Sequence, residues 1–161
     1  MSNFYNIQIE YTNANWNEIQ VKEWLAGIDC QIYNNRSSTF ALPPLELMSC
    51  GIPTIAIPYS GPKDYCNNNN SLLIDFDLVN VSEDIEALNS VGCRNYFLAF
   101  GYKNHPVWAK SKIESVSTNL LRLEKDINKR NSLSANGIFT AKSMSWEKSS
   151  LQLSKLLERW F

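Results

Sequence analysis

From Asp29 to Tyr65 the chain reads DCQIYNNRSSTFALPPLELMSCGIPTIAIPYSGPKDY, and this stretch leaves little choice in how it folds. Cys30, Ile32 and Tyr33 form a short apolar run, and Asn34 to Thr39 is polar without periodicity, so a strand and then a loop are expected. Pro43 and Pro44 suit the first turn of a helix, where a missing N–H costs nothing. Leu45, Met48 and the aliphatic part of Leu42 fall on one helical face, and Gly51 followed by Pro53 closes the helix. Thr54 to Ile57 is apolar on both alternating faces, the pattern of a strand covered on both sides in a parallel sheet. The segment is therefore one βαβ unit.

The helix start in such a unit carries backbone N–H groups without intrahelical partners and the positive end of the macrodipole. A phosphate or diphosphate is its natural guest, and in an open parallel sheet it lies at the carboxyl ends of the strands, where ligands bind. Glu46, about one turn inside the helix, is placed to accept hydrogen bonds from a vicinal diol such as a ribose. Spacing alone leaves a second reading open, in which Glu46 is an ordinary solvent-exposed helix residue.

The residues from Asn34 to Pro53, NNRSSTFALPPLELMSCGIP, align without a gap to a longer pattern. They resemble the nucleotide-sugar-binding motif of retaining family 4 glycosyltransferases of GT-B architecture, typically P-S-R-x-E-G-F-G/A-L-P-P-L-E-A-M-A-C-G-x-P-V-I. The resemblance continues more weakly through Trp16 to Ile28, Ser71 to Asp75, His105 to Ala109 and Phe139 to Lys148. It implies that Glu46 binds the ribose hydroxyls of the donor and that backbone groups of Phe40, Ala41 and Leu42 meet the sugar or diphosphate, with Arg36 lining the same crevice. The family's first glutamate, eight positions before the second, is here Ser38, and the glycine after it is Thr39. A hydroxyl still hydrogen-bonds a sugar, but without the carboxylate's charge-assisted bond, which is roughly twice as strong as a neutral one. The family's two-domain architecture implies that these 161 residues, about one domain in size, form a partial Rossmann-like unit. The acceptor domain and the first strands of the donor domain, with their diphosphate-neutralising cations, are then expected to be missing. No metal or other cofactor is expected, and the nucleotide diphosphate sugar is the substrate.

The rest of the chain narrows the classes. A formal net charge of −1 offers no basic field for nucleic acid. The apolar runs fall far short of the ~20 residues that cross a bilayer, and MSNFYNIQIE lacks the form of a signal peptide, so a cytoplasmic protein is expected. Cys30, Cys50, Cys66 and Cys93 show no C-x-x-C spacing and read as structural thiols, Cys30 and Cys50 within core elements. His105, the only histidine, has no carboxylate at helical spacing and reads as structural or exposed, so no catalytic nucleophile with an adjacent base is expected. Asn67 to Asn70 suits a turn, Asp64 a helix cap, and Asp75, Asp77, Glu83 and Asp84 a solvated acidic loop.

Beyond Ser111 two apolar stripes predict helices packed on the sheet: Ile113, Val116, Leu120, Leu123 and Ile127 in the first, Trp146, Leu153, Leu156, Leu157 and Trp160 in the second. At the terminus the alternative is an exposed Trp160 and Phe161 as a contact for another domain. Gly137 and Ser143 to Ser145 are expected to interrupt them, with Ser145 as an N-cap. The fold class is α/β, a Rossmann-like three-layer sandwich with a short parallel sheet of three or four strands, opening at Ile7 and Ile9. Two further functions stay open: a nucleotide-binding module that transfers nothing, and a split subunit completed by an acceptor-domain protein or by a second copy. A dinucleotide-dependent oxidoreductase is disfavoured, because no G-x-G-x-x-G follows a strand.

Overall fold

The computed structural model describes residues 15–84 and 106–160; Ile7, Ile9, Cys93 and His105 lie outside them. Helix α1 (Glu18–Ala26) opens with a capping box, in which Asn17 accepts from the amides of Ile19 and Gln20 while Gln20 accepts from that of Asn17. Strand β1 (Gln31–Tyr33), helix α2 (Leu42–Ser49) and strand β2 (Thr54–Ala56) then form the expected βαβ unit. Strand β3 (Ser71–Leu73) extends it, giving a parallel sheet in the order β1-β2-β3 with Ile32, Ile55 and Leu72 in register.

The all-apolar reading of β2 is explained by what covers it. Ile55 and Ile57 join Leu72, Ile74, Ala109, Leu123 and Leu133 on one face, while Ala56 meets Leu45, Met48, Tyr65 and Cys66 on the other. Burial lifts the Cys66 thiol to about 11, so it behaves as a small apolar side chain despite a hydrogen bond with Ser71 that acts the other way. The fold is α/β and Rossmann-like, with helices on both sides of a short parallel sheet. Among the described residues no helix is long and apolar enough to cross a membrane.

Several expectations need correction. The acidic stretch is not one solvated loop: Asp77 lies in β4 (Phe76–Asn80), which pairs antiparallel with β5 (Val107–Ser111) as a separate two-stranded ribbon. Lys112 reaches across that ribbon to Asp77, at 3.1 Å, and Asp84 is buried and ion-paired. The first apolar stripe is divided, because α3 (Ile113–Lys125) ends before Asp126, whose carboxylate caps α4 (Ile127–Ser143) by accepting from the Lys129 amide at 2.8 Å. Leu123 is buried, but Ile113 and Ile127 are exposed.

Gly137 does not interrupt α4. It lies inside the helix where α4 crosses α2, and a Cβ there would stand 3.3 Å from Cγ of Met48, so the missing side chain lets the helices approach closely. Ser145 does cap α5 (Trp146–Leu157), accepting from the Lys148 amide. The stripe on α5 packs on nothing among the described residues: it has no buried residue, and Trp146 and Trp160 are 81% and 83% exposed. Periodicity reveals that a helix has an apolar face but not what covers it. Cys50, at the C-cap of α2, is exposed rather than in the core. Asp64 ends a short 3-10 turn (Gly61–Asp64), exposed and capping nothing among the described residues. The four asparagines form the expected turn, with Asn70 buried and hydrogen-bonded to the Tyr65 carbonyl and to Thr140.

Candidate functional site

The loop between β1 and α2 is fastened through its carbonyl groups. The Arg36 carbonyl accepts from the Ala109 amide (3.0 Å), that of Ser38 from the Gly61 amide (2.9 Å) and the Ser60 hydroxyl (2.6 Å), and that of Ala41 from the Tyr65 hydroxyl (2.5 Å). Two separate pieces of the fold, β5 and the segment from Ser60 to Tyr65, thus hold the loop. Tyr65 is buried, and that burial raises its phenol well above the ordinary value, so the hydroxyl remains a donor at any physiological pH. Its ring also packs 5.8 Å from that of Phe40.

The amides are left differently. Those of Thr39, Phe40, Ala41 and Leu42 donate to no group among the described residues. Ala41 adopts the left-handed conformation (φ 65°) as the residue before the helix, with no side-chain cap. The four positions whose N–H groups a helix start normally leaves unpaired are here Ala41, Leu42, Pro43 and Pro44. The prolines remove two of those donors, so the helix start offers a narrower anion site than the dipole alone suggests.

Glu46 is exposed, and its carboxylate has no hydrogen-bond or ion-pair partner among the described residues. With Phe40, Leu42, Leu45 and Ser49 it lines one wall of a cavity of about 600 Å³, whose other wall comes from the α4–α5 junction through Met144, Ser145 and Trp146. Leu42 is 44% exposed and faces this cavity rather than the core, which corrects its place in the buried stripe of α2. Phe40, Leu42 and Glu46 are thus brought together. Ser38 and Thr39 precede them on the same loop but do not line the cavity.

Arg36 goes elsewhere. Its guanidinium pairs with Asp84, whose side chain is only 2% exposed, and its Cζ lies 5.2 Å from the centre of the Trp108 ring. Trp108 Nε1 donates to the same carboxylate oxygen at 3.2 Å, and Lys110 stands 3.8 Å from the other. Asp84, Trp108, Tyr65 and Ser60 all escaped sequence reasoning. Only Tyr65 and Ser60 lay inside the informative segment, where the S-G-P turn was the available signal. Among the described residues no three His, Cys, Asp or Glu side chains converge as a metal site.

Against known families, residues 3–91 match the model of glycosyl transferases group 1. The chain belongs to the group 1 glycosyl transferases. The match contains the whole loop, α2 with Glu46 and the Asp84 carboxylate. No curated protein matches the chain significantly.

In this glycosyl transferase domain Ser60 adopts φ 58° and ψ −135°, a region almost reserved for glycine. Its hydroxyl bond to the Ser38 carbonyl offsets part of the strain. Ser60→Gly relieves the strain and loses the bond, so its stability should stay within about 1 kcal/mol of wild type; Ser60→Ala keeps the strain, loses the bond and should cost about 1 kcal/mol. Urea unfolding of the two variants checks the order, and an alanine variant more stable than the glycine one would refute the strain.

Proposed function

We propose that the chain is the donor-nucleotide half of a retaining family 4 glycosyltransferase of GT-B architecture. It binds a nucleotide diphosphate sugar and serves transfer of the sugar to an acceptor hydroxyl with retention, without a bound metal. The observation that carries this reading is the polarity of the β1–α2 loop: the carbonyls of Arg36, Ser38 and Ala41 are committed to the scaffold, the amides of Phe40, Ala41 and Leu42 donate to nothing among the described residues, and the Glu46 carboxylate, without a partner among those residues, follows about one turn into the helix. Fixed N–H donors suit diphosphate or sugar oxygens, and a free carboxylate suits the two hydroxyls of a ribose. Ser38 and Thr39, on the same loop, are the neighbours assigned to the sugar.

A second reading has its own support. Among the described residues no Lys or Arg lines the cavity, Arg36 is engaged by Asp84, and prolines delete two amides of the helix start. A leaving diphosphate develops charge that preorganised cations and donors normally stabilise. A domain so equipped binds nucleotide without transferring sugar, unless an acceptor-domain protein or a second copy supplies the missing cation.

Thermal unfolding with millimolar UDP, GDP, ADP and their sugar conjugates tests the site, since a ligand bound only by the folded chain raises stability by RT ln(1 + [L]/Kd). One base is expected to shift the transition. Glu46→Ala should weaken that nucleotide about 10- to 100-fold, the worth of hydrogen bonds to a charged group, while stability without ligand changes by less than about 0.5 kcal/mol. Equal affinity in the two proteins sinks the assignment of Glu46. A shift without sugar transfer or donor hydrolysis selects the second reading.

A further inference from the structure

The resemblance places Arg36 among the donor ligands, but its surroundings assign it another task. We propose that Arg36 is a strut that seats the donor loop, and that Asp84 and Trp108, through it, are positioning residues for the nucleotide; this last step rests on the donor-site reading above. The guanidinium is clamped on two sides, by the nearly inaccessible Asp84 carboxylate and by the Trp108 ring 5.2 Å from Cζ. Trp108 is itself fixed, since Nε1 donates to the same Asp84 oxygen that receives Arg36. The backbone of Arg36 is held from the same strand, where the neighbouring Ala109 amide donates to its carbonyl.

The side chain and main chain of one loop residue are thus both fastened to β5, and two residues later the loop is fastened to Gly61. A guanidinium that left this clamp to meet a phosphate would give up its ion pair with a buried carboxylate, and separating such a pair is costly. The cost of that exchange keeps Arg36 at its post. The device has a distant reach in the chain: Asp84 and Trp108 lie 48 and 72 positions after Arg36 and join the ribbon β4–β5 to the loop that leads into α2.

Amide hydrogen exchange by NMR reads this directly, because the Ala109 and Gly61 amides are protected by carbonyls of the loop itself, whereas the Ile74 amide is protected by Ala56 in the central sheet. In Arg36→Ala and Asp84→Asn, exchange at Ala109 and Gly61 should quicken about tenfold or more, with Ile74 close to wild type. Trp108→Phe, which keeps a ring but loses the indole N–H, is the gentler variant and should give a smaller rise at the same two amides. Arg36→Lys keeps the charge and should restore part of the protection. In each variant the affinity for the nucleotide selected by unfolding should fall in the order of the loosened loop, although none of Arg36, Asp84 and Trp108 lines the cavity.

Exchange unchanged at Ala109 and Gly61, or raised equally at Ile74, overturns the strut. So does an Arg36→Ala protein that loses the nucleotide while its loop stays seated, since Arg36 would then touch the ligand. A wild type that binds no nucleotide removes the donor-site reading instead, and the exchange pattern still decides whether Arg36 holds the loop.

Discussion

Gly61→Ala is expected to lower the stability of the chain by about 3 kcal/mol and, on the proposed donor-site reading, to remove nucleotide binding with it. The reason is a crossing of two backbones. A Cβ at position 61 would lie 2.5 Å from the Thr39 carbonyl oxygen and 2.6 Å from both Cα and the carbonyl carbon of Phe40. Side-chain atoms turn away from such a collision, but main chain must move as a body. The loop would be driven off the 3-10 turn, breaking the Gly61 amide to Ser38 carbonyl bond and unseating the Ser60 hydroxyl. Gly61 does not sit at positive φ, so the damage is steric alone. For a domain of this size about 3 kcal/mol corresponds to roughly 6–12 °C in the unfolding midpoint. Urea titration of both proteins, followed by the nucleotide shift assay, checks it. A variant as stable as wild type that has lost the ligand would mean that the loop lifts away at little cost. Unchanged stability together with unchanged affinity would mean that the two backbones do not meet.

Much of this arrangement was legible in the sequence because it is local. The βαβ unit around α2 is written in consecutive signals, each with its own cause: the apolar Cys30, Ile32 and Tyr33 around β1, prolines where helix amides are dispensable, a glycine stop, and a β2 segment apolar on both faces. Glu46 followed from the same run, since its place one turn inside the helix depends only on where the helix starts. What escaped notice depends on partners distant in the chain. Asp84 reads as one more acid in an acidic stretch until Arg36 and Trp108 arrive from either side. The ribbon β4–β5 joins strands separated by an intervening stretch of chain, and β4 mixes Asp77 and Asn80 among apolar residues, which weakens any period. Gly137 illustrates the same limit from the other side. A glycine inside a helical pattern reads as an interruption, yet its function is set by Met48 on another helix, and no local rule supplies that neighbour. Arg36 lies between the two cases, since the motif located it correctly on the loop while its partners, both later in the chain, decide what it does.

Gly51→Val should cost about 3–4 kcal/mol, by two mechanisms that a short series of variants separates. The first is conformational. Gly51 follows the C-cap of α2 at φ 76°, its amide donating to the Met48 carbonyl and the next amide, of Ile52, to the Leu47 carbonyl, the paired bonds of a Schellman motif. A residue with a Cβ adopts that angle at a cost of roughly 1–2 kcal/mol, and a β-branched one suffers most. The second is packing, because a Cβ there would lie 3.0 Å from Oγ of Ser134 and 3.3 Å from Cδ1 of Ile138, so the turn would press on α4. Overfilling of this kind adds about 1–3 kcal/mol. Gly51→Asn carries the same Cβ as Gly51→Ala but tolerates the left-handed region far better. The difference between those two variants in urea unfolding therefore measures the strain, and the difference between Gly51→Asn and wild type measures the pressure on α4. Both steps are expected to be destabilising, with valine beyond either. Because β2 begins three residues after Gly51, a turn that opens also shifts the strand at the centre of the parallel sheet. Loss of stability in this series should therefore come with weakened protection of the Gln31 amide, which donates to the Pro53 carbonyl between the turn and β2. Full protection of Gln31 in a destabilised Gly51→Val protein would confine the damage to the helix end and contradict that coupling.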